Sequence, residues 1–320
     1  MPLDPNIAGL LTFIETAGYP PIAESTPEQA RAGLRALMVE FRDPSTLAEV
    51  ASVDEAKVAD SIPVRVYRPQ GRTGPVPTLV YFHGGGFVIG DLDTHEGVCR
   101  LLCHDTDAVV VSVDYRLAPE HPFPAAVEDA YASLTWVAEH IADYGNDPAR
   151  LAVGGDSAGG NLAAVCAQLA HADNLPLAAQ LLVYPAVDLL GEYQSRVDNA
   201  EGYFLTMADI RWFAEKYLGM DETDPAAIAL TGDPRLSPLH ASSLGGLAPA
   251  VLATAEFDPL RDEGDGYAQA LRAAGVQVEH RQFPGLIHGF YGLEFVSPAV
   301  ADATTWINAQ VAALLDTARS

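Results

Sequence analysis

Ser157 stands where a short apolar run meets an alanine-rich segment, with a glycine two residues to either side: Leu151-Ala152-Val153-Gly154-Gly155-Asp156-Ser157-Ala158-Gly159-Gly160-Asn161. The pattern predicts a strand, a sharp turn and a helix, with Ser157 strained at the apex. Gly155 and Gly159 have no side chains to collide there. The hydroxyl would project at a helix N-terminus, where negative charge is favoured. Such a serine is a candidate nucleophile. The competing reading is a Gly-rich strand-to-helix turn that holds a phosphate. A second motif favours the nucleophile. His83-Gly84-Gly85-Gly86 follows the apolar, strand-like run Thr78-Leu79-Val80-Tyr81-Phe82. Three glycines leave backbone N–H groups bare, and acyl transfer needs such donors where the carbonyl oxygen gains charge. The expected donors are Gly85, Gly86 and Ala158, with Gly84 as an alternative. His83 has the chemistry of a base, but its place in the loop points to a structural, loop-orienting role.

A serine hydroxyl becomes nucleophilic when an imidazole takes its proton, and a carboxylate must fix that imidazole. Four histidines lie downstream: His171, His240, His280 and His288. His171 falls well along the helix after Ser157. His240 follows a Ser-Pro-Leu segment. His280 lies in an alternating strand-like run, where a solvated face is expected. His288 lies in Pro284-Gly285-Leu286-Ile287-His288-Gly289-Phe290, a loop after that strand, where a catalytic histidine belongs. For the acid, the buried strand Ala250–Thr254 leads to Asp258, which precedes Pro259. Asp262 is the alternative, although the start of the next helix draws it away, and Glu256 reads as a local structural partner.

The two glycine motifs, in this order and about seventy residues apart, resemble those of the hormone-sensitive-lipase-like branch of the α/β-hydrolase superfamily, the microbial carboxylesterases. Asp114-Tyr115-Arg116-Leu117-Ala118-Pro119-Glu120-His121-Pro122-Phe123-Pro124-Ala125-Ala126, Tyr184-Pro185 with Asp188, and Asp233-Pro234-Arg235-Leu236-Ser237-Pro238 are similar to further signatures of that branch. The resemblance covers roughly residues 60 to 315, and the Asp before the serine places the chain in the Gly-Asp-Ser-Ala-Gly subgroup. It implies the chain order serine, acid, histidine, with the acid at the first Asp of Asp-Pro-Leu-Arg-Asp. The triad would then be Ser157, Asp258 and His288. It also implies an insertion over the active site, in which Leu205, Trp212 and Phe213 would line an acyl pocket; Phe87, Asp156 and Tyr184 are further pocket candidates. The implied activity is hydrolysis of short- to medium-chain carboxylic esters through an acyl-enzyme, with no metal or organic cofactor. A lactonase or amidase would use the same triad. A non-catalytic receptor on this fold would typically lack the histidine. Family members often dimerise through the last strand, which makes residues 276–283 a candidate edge for a homodimer.

The expected architecture is α/β: a mostly parallel eight-stranded sheet flanked by helices, with a helical cap. Strands near 78–82, 109–113, 151–154, 180–184, 250–254 and 276–283 alternate with helices, after an antiparallel pair in 50–68. Residues 1–48 carry two helical patterns and form the N-terminal part of the cap. Residues 49–189 are the first part of the catalytic domain, 190–230 the cap insertion, and 231–320 the second part.

The chain has 320 residues, 49% of them hydrophobic, enough for one large domain with a sizeable core. Its net charge of −25 repels nucleic acid and anionic membranes. No apolar run reaches bilayer length, and Met1-Pro2-Leu3-Asp4-Pro5 is unlike a signal peptide. Three cysteines (Cys99, Cys103, Cys166) suit a reducing compartment, so a cytoplasmic location is expected; a zinc site would need further ligands. Elevated salt should be tolerated or required, because screening relieves self-repulsion. A melting temperature that drops between low and molar sodium chloride would contradict this.

Overall fold

A computed structural model describes residues 2–318 apart from Tyr19, Asp60, Thr73, 141–145, Leu190, Glu222 and Thr231. Eight strands form one sheet: β1 (Ser52–Val58), β2 (Ile62–Arg68), β3 (Thr78–Phe82), β4 (Val109–Val113), β5 (Leu151–Asp156), β6 (Ala179–Val183), β7 (Ala250–Phe257) and β8 (Val278–Ile287). Their spatial order is β1-β2-β4-β3-β5-β6-β7-β8. The β1–β2 hairpin joins β4 antiparallel, and every pair from β4 onward is parallel. This is the mostly parallel sheet that the alternating signals predict, in the α/β-hydrolase arrangement that the resemblance implies.

Parallel strands are buried on both faces, so β3 reads as an unbroken apolar run (Leu79-Val80-Tyr81-Phe82) rather than an alternation. Successive side chains still point to opposite faces. Val80 and Phe82 join one core with helices α4 (Ala125–His140), α5 (Ala158–Ala172) and α9 (Arg261–Ala273). Leu79 and Tyr81 join the other with α3 (Glu96–Thr106) and α10 (Pro298–Thr317). Cys99 and Cys103 share the buried face of α3, and burial pushes both thiols up to about 12.

Two helical segments lie outside this sandwich. Helices α1 (Pro5–Thr16) and α2 (Pro27–Arg35, continued by one π-turn to Glu40) come before the sheet. Helices α6 (Gln194–Asp198), α7 (Met207–Leu218) and α8 (Pro225–Leu230) interrupt it between β6 and β7. The two segments meet: the turn at Ile22–Glu24 packs on α7, and the Ala23 N–H donates to Asp209 Oδ1 at 3.0 Å. Asp209 also closes the capping box that starts α7, accepting from Thr206. Among the described residues no helix is long and apolar enough to cross a membrane.

The expected loop at 284–287 is strand instead. Ala255 pairs with Phe283, but Phe257 pairs with Ile287, so β8 bulges between them. Gly285, at φ +76°, supplies the bulge, and Glu256 accepts its N–H at 2.7 Å. That local bond satisfies a donor the ladder leaves unpaired and lets pairing resume. Asp258 and His288 are the residues that follow the resumed pair, which is how thirty residues of separation become direct contact.

Candidate active site

Ser157 lies between β5 and α5, at the N-cap of the helix. Its backbone sits at φ +56°, ψ −117°, and its N–H donates to Val183 O at 2.9 Å on the adjacent strand. The turn is so tight that a Cβ on Gly159 would lie 1.9 Å from Phe82 O. The structure brings Ser157, His288 and Asp258 together. Ser157 Oγ is 2.9 Å from His288 Nε2, and His288 Nδ1 is 2.8 Å from Asp258 Oδ2. Asp258 is fully buried, and its other oxygen accepts the Leu260 N–H at 2.8 Å. Asn199 donates to the Asp258 carbonyl at 3.2 Å. The Tyr184 ring packs beside the imidazole, centroids 4.6 Å apart. Since a carboxylate can only accept, Nδ1 carries the proton and Nε2 is free to take one from the serine.

The other candidate residues for this chemistry lie elsewhere. His280 pairs with Asp265 at 3.0 Å, and His240 with Asp188 at 3.1 Å. His171 lies near the end of α5, against Gly246. Asp262 belongs to α9, where it accepts from the Ser195 N–H.

The glycine loop resolves into two roles. The Gly84 N–H is already used: it donates to Asp156 Oδ1 at 3.0 Å, so Gly84 leaves the set of expected oxyanion donors. Among the described residues, the N–H groups of Gly85, Gly86 and Ala158 have no protein acceptor, and all three residues line the cavity at Ser157. Gly85 and Gly86 turn their peptides at φ +115° and +59°. Asp156 links the two motifs, since Tyr81 Oη–H donates to the same carboxylate oxygen at 2.7 Å and His95 Nε2 lies 3.5 Å away. Burial pushes its carboxyl up, but His95 and Tyr81 outweigh that and hold it below the ordinary value.

His83 is fully buried. Its Nδ1–H donates to Gly84 O at 2.7 Å, its ring stacks on Tyr115 at 4.4 Å, and Tyr115 Oη–H donates to its carbonyl at 2.6 Å. This is a strut of the loop. Burial, then repulsion from His95, lowers its pKa to about 4. The unfolded chain protonates this histidine below about 6.5, so from there down to about 4 the unfolded state binds more protons and stability falls with pH. The loss should approach ~3 kcal/mol at the acid end. Urea melts at pH 7 and pH 5 should show a shallower pH dependence for His83→Gln than for the wild type; equal dependence would assign the acid sensitivity elsewhere.

Above the serine lies a cavity of about 840 Å³. Phe87, Asp156, Tyr184, Leu205 and Phe213 line it, together with Leu11, Leu34 and Leu37 of the N-terminal segment. Trp212 does not line it. Ile210, Phe213, Ala214 and Tyr217 share the face of α7 that lines the cavity, and at about 100° per residue Trp212 falls on the opposite face. Phe213 covers Gly86, while Trp212 joins the core behind it, edge-on to Phe213 at 5.2 Å. Among the described residues no group of three His, Cys, Asp or Glu side chains is arranged to hold a metal ion.

Residues 79–292 match the family described as alpha/beta hydrolase fold. The carboxylic ester hydrolase LipN of Mycobacterium tuberculosis is 47% identical over 298 residues, covering 91% of this chain and 77% of that protein. The carboxylesterase NlhH of the same species is 45% identical, covering 87% and 86%. The solved structure of a hyperthermophilic esterase from the archaeon Pyrobaculum calidifontis superposes with a TM-score of 0.90 at 38% identity, covering 98% of this chain and 99% of that one. The chain belongs to the α/β-hydrolase fold family, in its hormone-sensitive-lipase-like carboxylesterase branch.

Proposed function

We propose that this chain hydrolyses carboxylic esters with Ser157 as nucleophile, His288 as general base and acid, and Asp258 as the group that orients His288. The observation that carries the reading is the unbroken path Ser157 Oγ–His288–Asp258, at 2.9 and 2.8 Å, at the floor of an apolar cavity. Ser157 Oγ attacks the ester carbonyl carbon as its proton passes to His288 Nε2. The carbonyl oxygen becomes an anion facing the free N–H groups of Gly85, Gly86 and Ala158. His288 returns the proton to the alkoxy oxygen, the C–O bond breaks, and the alcohol leaves an acyl-Ser157 ester. Water then gives a proton to His288 and attacks the acyl carbon. His288 returns that proton to Ser157 Oγ as the acyl C–O bond breaks, which releases the acid and restores the serine. Asp258 stabilises the imidazolium that forms in each half.

Residues 1–48 and 190–230 together make one cap, a reading supported by the Ala23–Asp209 bond and by the share of the cavity wall both segments supply. The substrate is a short- to medium-chain ester. A cavity of this size accepts small organic ligands. The test is a p-nitrophenyl ester series from acetate to palmitate. Turnover should peak at or below octanoate and fall toward palmitate; a maximum at palmitate would overturn the chain-length reading. The fully buried, free thiols suit a reducing cytoplasm. Strand β8 is the last of the sheet, and its open edge is the surface we assign to a homodimer. A monomeric mass by light scattering at micromolar concentration would remove that assignment.

A further inference from the structure

We propose that Arg31, on helix α2 of the N-terminal segment, is a positioning residue for the oxyanion donors, so that this segment sets kcat as well as access to the cavity. The proposal rests on the ester-hydrolase reading above.

The loop carrying Gly85 and Gly86 is a turn held by few bonds. Gly85, Gly86 and Phe87 are three successive residues with positive φ (+115°, +59° and +64°). Phe87 has a Cβ, so its conformation costs energy and must be imposed from outside. Inside the turn, the Val88 and Ile89 N–H groups both donate to Gly85 O, at 3.0 and 2.9 Å. Its outer side is held by α2. Arg31 Nε–H donates to Val88 O at 2.9 Å. Val88 C=O and Ile89 N–H belong to one peptide plane. Arg31 therefore grips one end of the plane whose other end holds the Gly85 carbonyl, and rotation of that plane breaks both bonds.

A second carbonyl contact locks this grip in place. Arg31 Nη2–H donates to Ala118 O at 3.0 Å, and the Ala118 N–H donates to Phe87 O at 2.9 Å. The outer edge is bidentate to Glu120, at 2.8 and 2.7 Å. One planar fork thus spans two carbonyls and a carboxylate, which a lysine ammonium cannot reproduce. The Gly85–Gly86 peptide lies within the same turn, so slack at Val88 moves the donors. Misplacement of catalytic groups by about 1 Å can cost on the order of 10²-fold. Because the donors act on charge that exists only in the transition state, the loss should fall on kcat rather than KM.

The test compares wild type, Arg31→Met, Arg31→Lys and Glu120→Gln on one p-nitrophenyl ester. Rates are taken per active site, titrated with a fluorophosphonate. Affinity for a trifluoromethyl ketone, whose hemiketal oxyanion needs the same donors, is measured alongside. Arg31→Met should lower kcat about tenfold or more, leave KM within about twofold, and weaken the ketone by the same factor as kcat. Arg31→Lys should recover part of both losses. Glu120→Gln keeps the carbonyl contacts and should stay within about twofold of wild type. Unchanged kcat per site in Arg31→Met, equal losses in Arg31→Met and Glu120→Gln, or a kcat loss without weaker ketone binding would each overturn the proposal. If Arg31→Met fails to fold, Arg31→Lys against Glu120→Gln decides: the proposal requires the lysine variant to lose more kcat and more ketone affinity. A wild type inert to esters would sink the ester-hydrolase reading itself, before any variant is compared.

Discussion

Ser157→Ala should lower kcat/KM for p-nitrophenyl esters by roughly 10⁴- to 10⁶-fold and leave the melting temperature within a degree or two of wild type. The contrast follows from what the side chain does. Among the described residues its hydroxyl bonds only His288, whereas the elbow is held by backbone: Ser157 N–H to Val183 O, and Ser157 O accepting from Asn161 and Ala186. Alanine keeps those bonds and adopts the same strained φ at the same cost. The His288–Asp258 contact also survives. The residual rate should come from the backbone donors and binding alone. A fluorophosphonate should add one adduct to the wild type, on the peptide that contains Ser157, and none to the variant. Equal turnover by the two proteins would mean that another group carries the reaction.

Gly159→Ala should do the opposite: its first effect should fall on the stability of the fold. A Cβ there would stand 1.9 Å from Phe82 O and 2.6 Å from His83 O, both backbone atoms of the adjoining strand and loop. No side-chain rotation relieves such a contact, so α5 must lift away from β3. Overpacking costs about 1–3 kcal/mol where side chains can yield; against backbone the cost should reach at least the upper end. For a chain of this length that corresponds to a melting temperature lower by roughly 4–5 °C or more, or to loss of soluble protein. Gly266→Ala is the control. It lies within α9 with nothing inside 4 Å of the added carbon, and alanine there should be neutral or stabilising by up to about 1 kcal/mol. A soluble Gly159→Ala with an unchanged melting temperature would show that the elbow is looser than its geometry implies.

Much of the site is legible in the chain because its parts are local. A glycine two residues either side of a serine marks a turn with no room for a Cβ, and a strand that runs into three glycines marks bare N–H groups. What could not be read is what long-range contacts decide. Gly84, Gly85 and Gly86 look equivalent in sequence; they part only because Asp156, seventy-two residues away, takes the Gly84 N–H. Trp212 and Phe213 look equally suited to a pocket, and the rotation of α7 admits one. The bulge at Gly285 depends on Glu256, on a different strand. Arg31 carries no local signal at all, because an arginine in an amphipathic helix reads as a solvated charge until its carbonyl partners are known.

The contact between Phe213 and Gly86 constrains how such an enzyme can change. A Cβ on Gly86 would fall 2.3 Å from the Phe213 ring, and the residue is also held at φ +59°. Alanine at position 86 is therefore opposed twice, by the ring and by the backbone, and a smaller residue at 213 removes only the first obstacle. The two positions lie on separate segments, one beside the chemistry and one in the wall that selects substrates. Their substitutions are nonetheless coupled, so reshaping the pocket alters which changes the oxyanion loop can later survive.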